Sequence, residues 1–186
     1  MQERDNILKI FQETKEAVLR GDASKIKNLS NHTTNTASLT QDPDNIAVAV
    51  IVYSLSKIIE REDYKKFPGW SEFYNIYIGS IDKIIEALKR KDDGAFRENI
   101  KIIRGAIDKL SGKLKGHIQD VFRKASINKA SKIYGHGISM EKTAKLLGIT
   151  LFELASYAGE KGVSDIPESK TIDVQSRIKL AMEMFG

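Results

Sequence analysis

The sequence predicts an all-α protein in which an N-terminal helical bundle is followed by a C-terminal helix-turn-helix region. Three observations carry this prediction. Apolar residues recur every three to four positions along most of the chain, which is the spacing of amphipathic helices. Only three prolines interrupt the 186 residues, so long uninterrupted segments remain. The hydrophobic fraction of 41% and the charged fraction of 30% are typical of a folded globular protein.

The predicted bundle covers residues 1–112 and contains five helices. The first is amphipathic and ends at Gly21, a residue suited to a C-terminal cap. The second runs from about Ala23 to Thr40 and is unusually polar. Aromatic residues from Trp70 onward form a stripe on the fourth helix, and residues 96–110 supply the fifth. The spacing of the aromatic stripe favours a role in the core over base stacking.

The third helix is predicted to lie at the centre of the bundle. Asp42 and Pro43 occupy the cap and first-turn positions that start a helix. Residues 46–59 are apolar on nearly every side, as expected of a fully surrounded helix. Residues 47–52 alone would also suit a buried strand, but the apolar run continues at helical spacing beyond the length of an ordinary strand.

The composition excludes several kinds of chemistry. There is no cysteine, which rules out disulfides, thiolate metal sites and a cysteine nucleophile. His32, His117 and His136 have no partner at metal-site spacing, so neither a metal nor another cofactor is expected. The N-terminus does not resemble a secretory signal, and no apolar run approaches the roughly 20 residues of a membrane span. The sequence therefore predicts a cytoplasmic protein that is not an enzyme.

The second predicted region, residues 113–186, begins with a basic linking helix. Residues 113–132 contain six basic residues and one acid, which accounts for the formal net charge of +5 of the whole chain. Such a stretch can contact phosphates or an acidic protein surface, although on a helix it often forms only a solvated face. A final helix is expected over residues 173–185, where it would cap the region or exchange with a second subunit.

One polar cluster suggests a ligand pocket inside the bundle. Asn28, His32 and Asn35 lie on the second helix, and amide and imidazole groups could together line a binding or catalytic pocket. The alternative is a structural hydrogen-bond network around a single histidine.

The helix-turn-helix prediction depends on residues 130–160. Ser139 is suited to cap a short helix, Ala144 allows a close helix crossing, and Gly148 permits a tight turn. Leu147, Ile149 and Leu154 would form the small core. Over these residues the chain resembles small archaeal and bacterial antitoxin-like proteins that pair with PIN-type ribonucleases, and more loosely helix-turn-helix regulators. The resemblance implies binding to operator DNA or to a partner toxin.

Two binding surfaces follow from this motif. A DNA-binding transcriptional regulator, expected as a homodimer, is the leading hypothesis. Its candidate DNA contacts are Lys129, Lys132, Lys142, Lys145, Thr150 and Ser156. The second helix of the motif, however, has no Arg, Lys, Asn or Gln to read base edges. The alternative is a module that binds a protein partner through Leu151 and Phe152.

Overall fold

The computed structural model describes residues 3–40, 42–134, 138–147 and 149–160, which fold into eight α-helices and one short 3-10 helix (Glu62–Lys66). The helices are α1 (Arg4–Leu19), α2 (Ala23–Thr40), α3 (Pro43–Ile59), α4 (Trp70–Lys89), α5 (Asp93–Asp108), α6 (Gly112–Tyr134), α7 (Met140–Leu147) and α8 (Leu151–Glu160). The all-α prediction is confirmed for these residues. The helix predicted over residues 173–185 lies outside them. No described helix has the length and apolar character needed to cross a membrane.

Helix α3 lies in the main hydrophobic core, packed against α2 and α6, and is buried along almost its whole length. Its start follows the predicted capping pattern. The Asp42 carboxylate accepts a hydrogen bond from the Asp44 backbone N–H at 2.9 Å, and Pro43 occupies the first turn. The Asp44 carboxylate accepts hydrogen bonds from two nitrogens of the Arg97 guanidinium of α5, with shortest distances of 2.8 and 3.1 Å. These bonds hold the beginning of α3 against α5.

The aromatic stripe of α4 lies in the same core, as its spacing predicts. Trp70, Phe73 and Tyr77 are buried, and the rings of Phe73 and Tyr77 meet edge to face with their centroids 5.8 Å apart. The Tyr77 hydroxyl donates a hydrogen bond to the Ile51 carbonyl oxygen of α3 at 2.8 Å. This bond satisfies a buried polar group and ties α4 to α3.

The loops that follow α1 and α4 are built alike. Gly21 and Lys91 have positive φ angles of 66° and 59°, and each donates its backbone N–H to the carbonyl three residues earlier. The next residues, Asp22 and Asp92, cap α2 and α5 by accepting a hydrogen bond from the backbone N–H three residues on, at 2.8 Å in both cases. Glycine adopts this left-handed conformation without steric cost, whereas Lys91 in the second loop adopts it with backbone strain.

Helix α6 supplies side chains to more than one cluster. Residues 114–125 contribute to the main core together with α1 to α5. Ala130 joins a small cluster with Ala144 of α7 and Leu154 of α8, and Ile133 packs against side chains of α2 and α3. The predicted boundary after residue 112 falls at the first residue of α6, and this single helix contributes side chains to both predicted regions.

Candidate functional site

Helices α6, α7 and α8 form a three-helix unit whose short helices begin at well-defined caps. The Ser139 hydroxyl accepts a hydrogen bond from the Lys142 backbone N–H at 3.2 Å, as predicted for a capping residue. At α8, the Thr150 hydroxyl accepts from the Glu153 backbone N–H at 3.1 Å, while the Glu153 carboxylate accepts from the Thr150 backbone N–H at 2.9 Å. This reciprocal pair is a capping box.

The inner face of the unit matches the predicted small core. Ala130, Ala144 and Leu154 are buried together, with Leu147 and Ile149 packed against them. The tight-turn role predicted for Gly148 falls outside the described residues. With these side chains turned inward, the opposite side of α8 faces solvent.

The outer face of α8 carries two large apolar side chains. Phe152 is 82% exposed and Leu151 is 49% exposed, while Ala155 and Ser156 are also exposed. An aromatic side chain as exposed as Phe152 leaves most of its apolar area in water. The residues predicted as a protein interface are therefore accessible.

A cleft of about 580 Å³ lies between α8, α3 and the middle of α6, and Phe152 is one of its lining residues. Apolar side chains of α6, including Val121, Ala125 and Ile127, line one part of it. Tyr53 of α3 and Tyr157 of α8 also line the cleft. The Asn128 amide donates a hydrogen bond to the Tyr157 hydroxyl at 3.1 Å, which connects α6 with α8.

Charged side chains of opposite sign surround these apolar and aromatic groups. The cleft is lined by four cations and two carboxylates, namely Lys57, Arg61, Arg123, Lys124, Asp120 and Glu153. Arg123 bonds the Glu153 carboxylate at 2.7 Å, and Lys124 lies 2.8 Å from Asp120. Arg61 instead donates to the Lys57 backbone carbonyl at 2.9 Å. Cations thus outnumber carboxylates around the opening.

Glu153 is held firmly in its charged form. The backbone N–H of Thr150 and then the guanidinium of Arg123 lower the pKa of Glu153 to about 2. The carboxylate is therefore ionised throughout the neutral range, and it holds both the cap of α8 and the Arg123 side chain of α6.

Sequence reasoning did not predict the cleft, although one signal for it is present in the chain. Tyr53, Lys57 and Arg61 are spaced four residues apart, and so are Asp120, Lys124 and Asn128. Side chains at this spacing share one face of a helix. Two such faces mark a polar surface, but only the packing of α3, α6 and α8 brings them together.

The predicted DNA contacts separate into two groups. Lys132, Lys142, Lys145, Thr150 and Ser156 are exposed, so their role stays a prediction. Lys129 has a relative exposure of 0%, and the prediction that it contacts phosphate from the surface is wrong. It occupies a position on the inward face of α6, four residues from buried Ala125 and four from buried Ile133.

The Lys129 ammonium is held by neutral groups. It donates a hydrogen bond to Asn31 Oδ1 of α2 at 3.1 Å and lies 4.5 Å from the centroid of the Tyr53 ring. Burial, followed by the nearby positive charges of Lys132 and Lys27, lowers the pKa of Lys129 to about 7. Part of the population is therefore uncharged at neutral pH.

The predicted pocket inside the bundle is also wrong. Asn28, His32 and Asn35 are exposed on the outer face of α2. The buried polar residues of this helix are instead small hydroxyl side chains, such as Ser30, which donates to the Ala49 carbonyl at 2.7 Å, and Thr34, which donates to the Ser30 carbonyl at 2.8 Å. A hydroxyl satisfies its donor on a backbone carbonyl more easily than a buried amide or imidazole satisfies several polar atoms.

Within the described ranges, no three His, Cys, Asp or Glu side chains are grouped closely enough to hold a metal ion. No protein-family profile matches this chain, and searches of curated proteins and of solved structures found no significant match.

Proposed function

We propose that this protein is a non-enzymatic interaction protein and that the cleft between α3, α6 and α8 binds an acidic amphipathic helix of a partner protein. The exposure of Phe152 beside this cleft is the observation that carries the proposal. Amphipathic helices commonly bind by placing apolar anchors at helical spacing into such a groove. The resemblance of residues 130–160 to antitoxin-like proteins implies operator DNA or a partner toxin, and the second of these agrees with the proposal.

The apolar part of the binding free energy would come from Phe152, Leu151 and the α6 side chains of the cleft. Burying one large apolar side chain contributes about 1.5–3 kcal/mol. That free energy corresponds to roughly a ten- to hundredfold gain in affinity. Phe152 is the best candidate for such an anchor because it retains most of its area for a partner.

The charge of the cleft determines the expected chemistry of the partner. Three of the lining cations are paired, Lys57 with Glu60 at 2.6 Å and Arg123 and Lys124 with Glu153 and Asp120. Arg61 has a backbone carbonyl as its acceptor and lies over the Tyr64 ring. Carboxylates on a bound helix would be attracted by the excess of positive charge, whereas a basic helix would be repelled.

A displayed library of helical peptides tests this proposal. Selection on the intact protein should enrich peptides with apolar residues at helical spacing and acidic residues beside them. Affinity measured by fluorescence anisotropy should fall at least about tenfold in a variant with Leu151→Ala and Phe152→Ala. Leu19→Ala is the matched control, because Leu19 is similarly exposed on α1.

Selected peptides that are basic, or that bind the double variant as well as the original protein, would contradict the proposal. Circular dichroism of the double variant establishes that its helices remain intact. The single change Phe152→Ser provides a second test with less alteration of α8.

DNA binding is the second candidate function, and the exposure of Lys132, Lys142 and Lys145 favours it. These lysines could contact phosphates, while α8 provides no Arg, Lys, Asn or Gln for base edges. Binding would then be weak and strongly dependent on salt, with a homodimer as the expected form. Replacing all three lysines by glutamine should reduce the slope of log K against log salt by about 0.9 for each lost phosphate contact. An unchanged slope would exclude these lysines as contacts.

A further inference from the structure

A separate cluster of positive charge lies where α2 packs against α6. Lys129 and Lys132 of α6 both donate hydrogen bonds to Asn31 Oδ1 of α2, at 3.1 and 2.7 Å. Lys27 lies one helical turn before Asn31 and is close enough to lower the pKa of both α6 lysines, after burial as the larger cause. Two ammonium groups therefore bind a single amide oxygen, and the charge of Lys27 acts on both of them. We call Lys27, Asn31, Lys129 and Lys132 the lysine cluster.

The lysine cluster has no carboxylate partner among the described residues. Other lysines of the protein, such as Lys15 and Lys124, are paired with aspartates at 2.6 and 2.8 Å. For Lys129 and Lys132, the charged groups that influence the pKa are only other lysines. Burial, followed by repulsion from the neighbouring lysines, opposes keeping both Lys129 and Lys132 protonated. An anion bound at this position would remove that repulsion.

The cluster also retains donors for an anion. An ammonium group has three N–H bonds, and the described hydrogen bond to Asn31 uses one of them on Lys132. Lys27 and Lys132 are exposed, so a solute can reach them. The Asn31 oxygen accepts from the lysines, which leaves its NH₂ group as a further donor for an oxyanion. Lysine is a common point-charge ligand for phosphate.

We propose that the lysine cluster is a binding site for a phosphate group, with Lys27, Lys132 and the Asn31 amide as direct ligands and Lys129 as a supporting charge beneath them. The site lies between α2 and α6 and is built from residues other than those that line the cleft. Phosphate binding should increase protonation of Lys129, because a negative charge raises the pKa of a nearby ammonium group. The ligand is either free phosphate or the phosphate of a nucleotide.

Thermal unfolding with potassium phosphate tests the site, with potassium chloride at equal ionic strength as the reference. At pH 7.5, phosphate should raise the Tm as the site fills, by about 3–6 °C at ten times its Kd. Lys27→Gln and Lys132→Gln should each remove most of this rise. Lys113→Gln is the matched control, because it removes an exposed charge from the same helix α6 and should leave the rise unchanged. An absent rise, or one that persists in both cluster variants, would overturn the proposal.

Calorimetry in buffers of different ionisation enthalpy tests the role of Lys129. Phosphate binding to the original protein at pH 7.5 should take up protons beyond those accounted for by phosphate itself. Lys129→Met should remove this additional proton uptake. Proton uptake equal to that of the original protein would refute the supporting role of Lys129.

Parallel titration with adenosine 5′-monophosphate distinguishes the two possible sources of the phosphate group. If adenosine 5′-monophosphate binds more tightly than inorganic phosphate, the cluster is a nucleotide site. If it binds equally or more weakly, the cluster is a site for phosphate itself. Loss of binding of either ligand in Lys132→Gln supports the cluster as the site.

Discussion

Replacing Lys129 by methionine should stabilise the protein near neutral pH, and the gain should shrink as the pH rises. The Lys129 side chain is fully buried and its ammonium has neutral partners, Asn31 and the Tyr53 ring. A buried charge without a counter-ion carries a desolvation penalty that a methionine of similar shape does not have. Lys132 would still occupy the Asn31 oxygen in the variant.

The magnitude follows from the pKa. Lowering the pKa of Lys129 from 10.5 to about 7 corresponds to an upper limit of roughly 5 kcal/mol in favour of the uncharged form. The unfolded chain binds more protons than the folded chain between these two values, so stability rises with pH across this range. Below pH 7 both states are protonated and the full penalty applies. Between about pH 7.5 and 9.5, the free energy of unfolding of the original protein should rise by up to about 1.4 kcal/mol per pH unit from this group.

Urea unfolding at pH 6, 7, 8 and 9 measures the effect for the original protein and for Lys129→Met. The difference in unfolding free energy between the two should be largest at pH 6 and should decrease steadily above pH 7. Lys113→Met, at an exposed position of the same helix, is the control and should show no such trend. A difference between Lys129→Met and the original protein that stays constant from pH 6 to pH 9 would refute the reasoning, whatever its sign.

Three further predictions concern local structure, each checked by urea unfolding. Lys91→Gly should raise the free energy of unfolding by about 1 kcal/mol, because Lys91 has a positive φ that glycine adopts without strain. A lower free energy of unfolding would show that the lysine side chain stabilises the fold by more than the backbone strain costs. Tyr77→Phe should lower it by about 1–2 kcal/mol through loss of the buried bond to Ile51, and no loss would mean that the carbonyl finds another donor. Thr150→Ala should cost about 1 kcal/mol by removing the cap of α8, whereas Thr150→Ser should be nearly neutral because it keeps the hydroxyl.

The helices were predictable because their signals are local. Consecutive residues specify both the cap at Asp42 and Pro43 and the apolar surface of α3. The same is true of the caps at Ser139 and of the small core of α6 to α8. The caps depend on residues within one or two turns of each other, and the small core depends on one short segment of the chain, residues 130–154.

The errors arose where charge was counted along the chain without regard to helical register. Lys129 belongs to a basic segment, but it falls four residues after Ala125 and four before Ile133, both of which are buried. This spacing places it on the inward side of α6. The second error placed exposed residues inside the bundle. Asn28 and His32 share an outward face of α2, although their polarity suggested an internal pocket.

The cleft and the lysine cluster could not be predicted from one sequence, because each joins residues that are distant in the chain. The hydrogen bond between Lys129 and Asn31 links positions 98 residues apart, and the cleft brings Tyr53 together with Tyr157. Such pairs depend on how α2, α3 and α8 pack against α6. Neither propensity nor periodicity specifies that packing.

The continuity of α6 should couple the unfolding of the bundle to that of the three-helix unit. The helix packs in the main core through residues 114–125 and supports α7 and α8 beyond them. Amide protons along its buried face should therefore exchange with solvent mainly through global unfolding, with similar protection at both ends. A ligand that restrains one end of α6 should slow exchange at the other. Hydrogen exchange along this helix would thus report occupancy of the cleft from residues that no ligand touches.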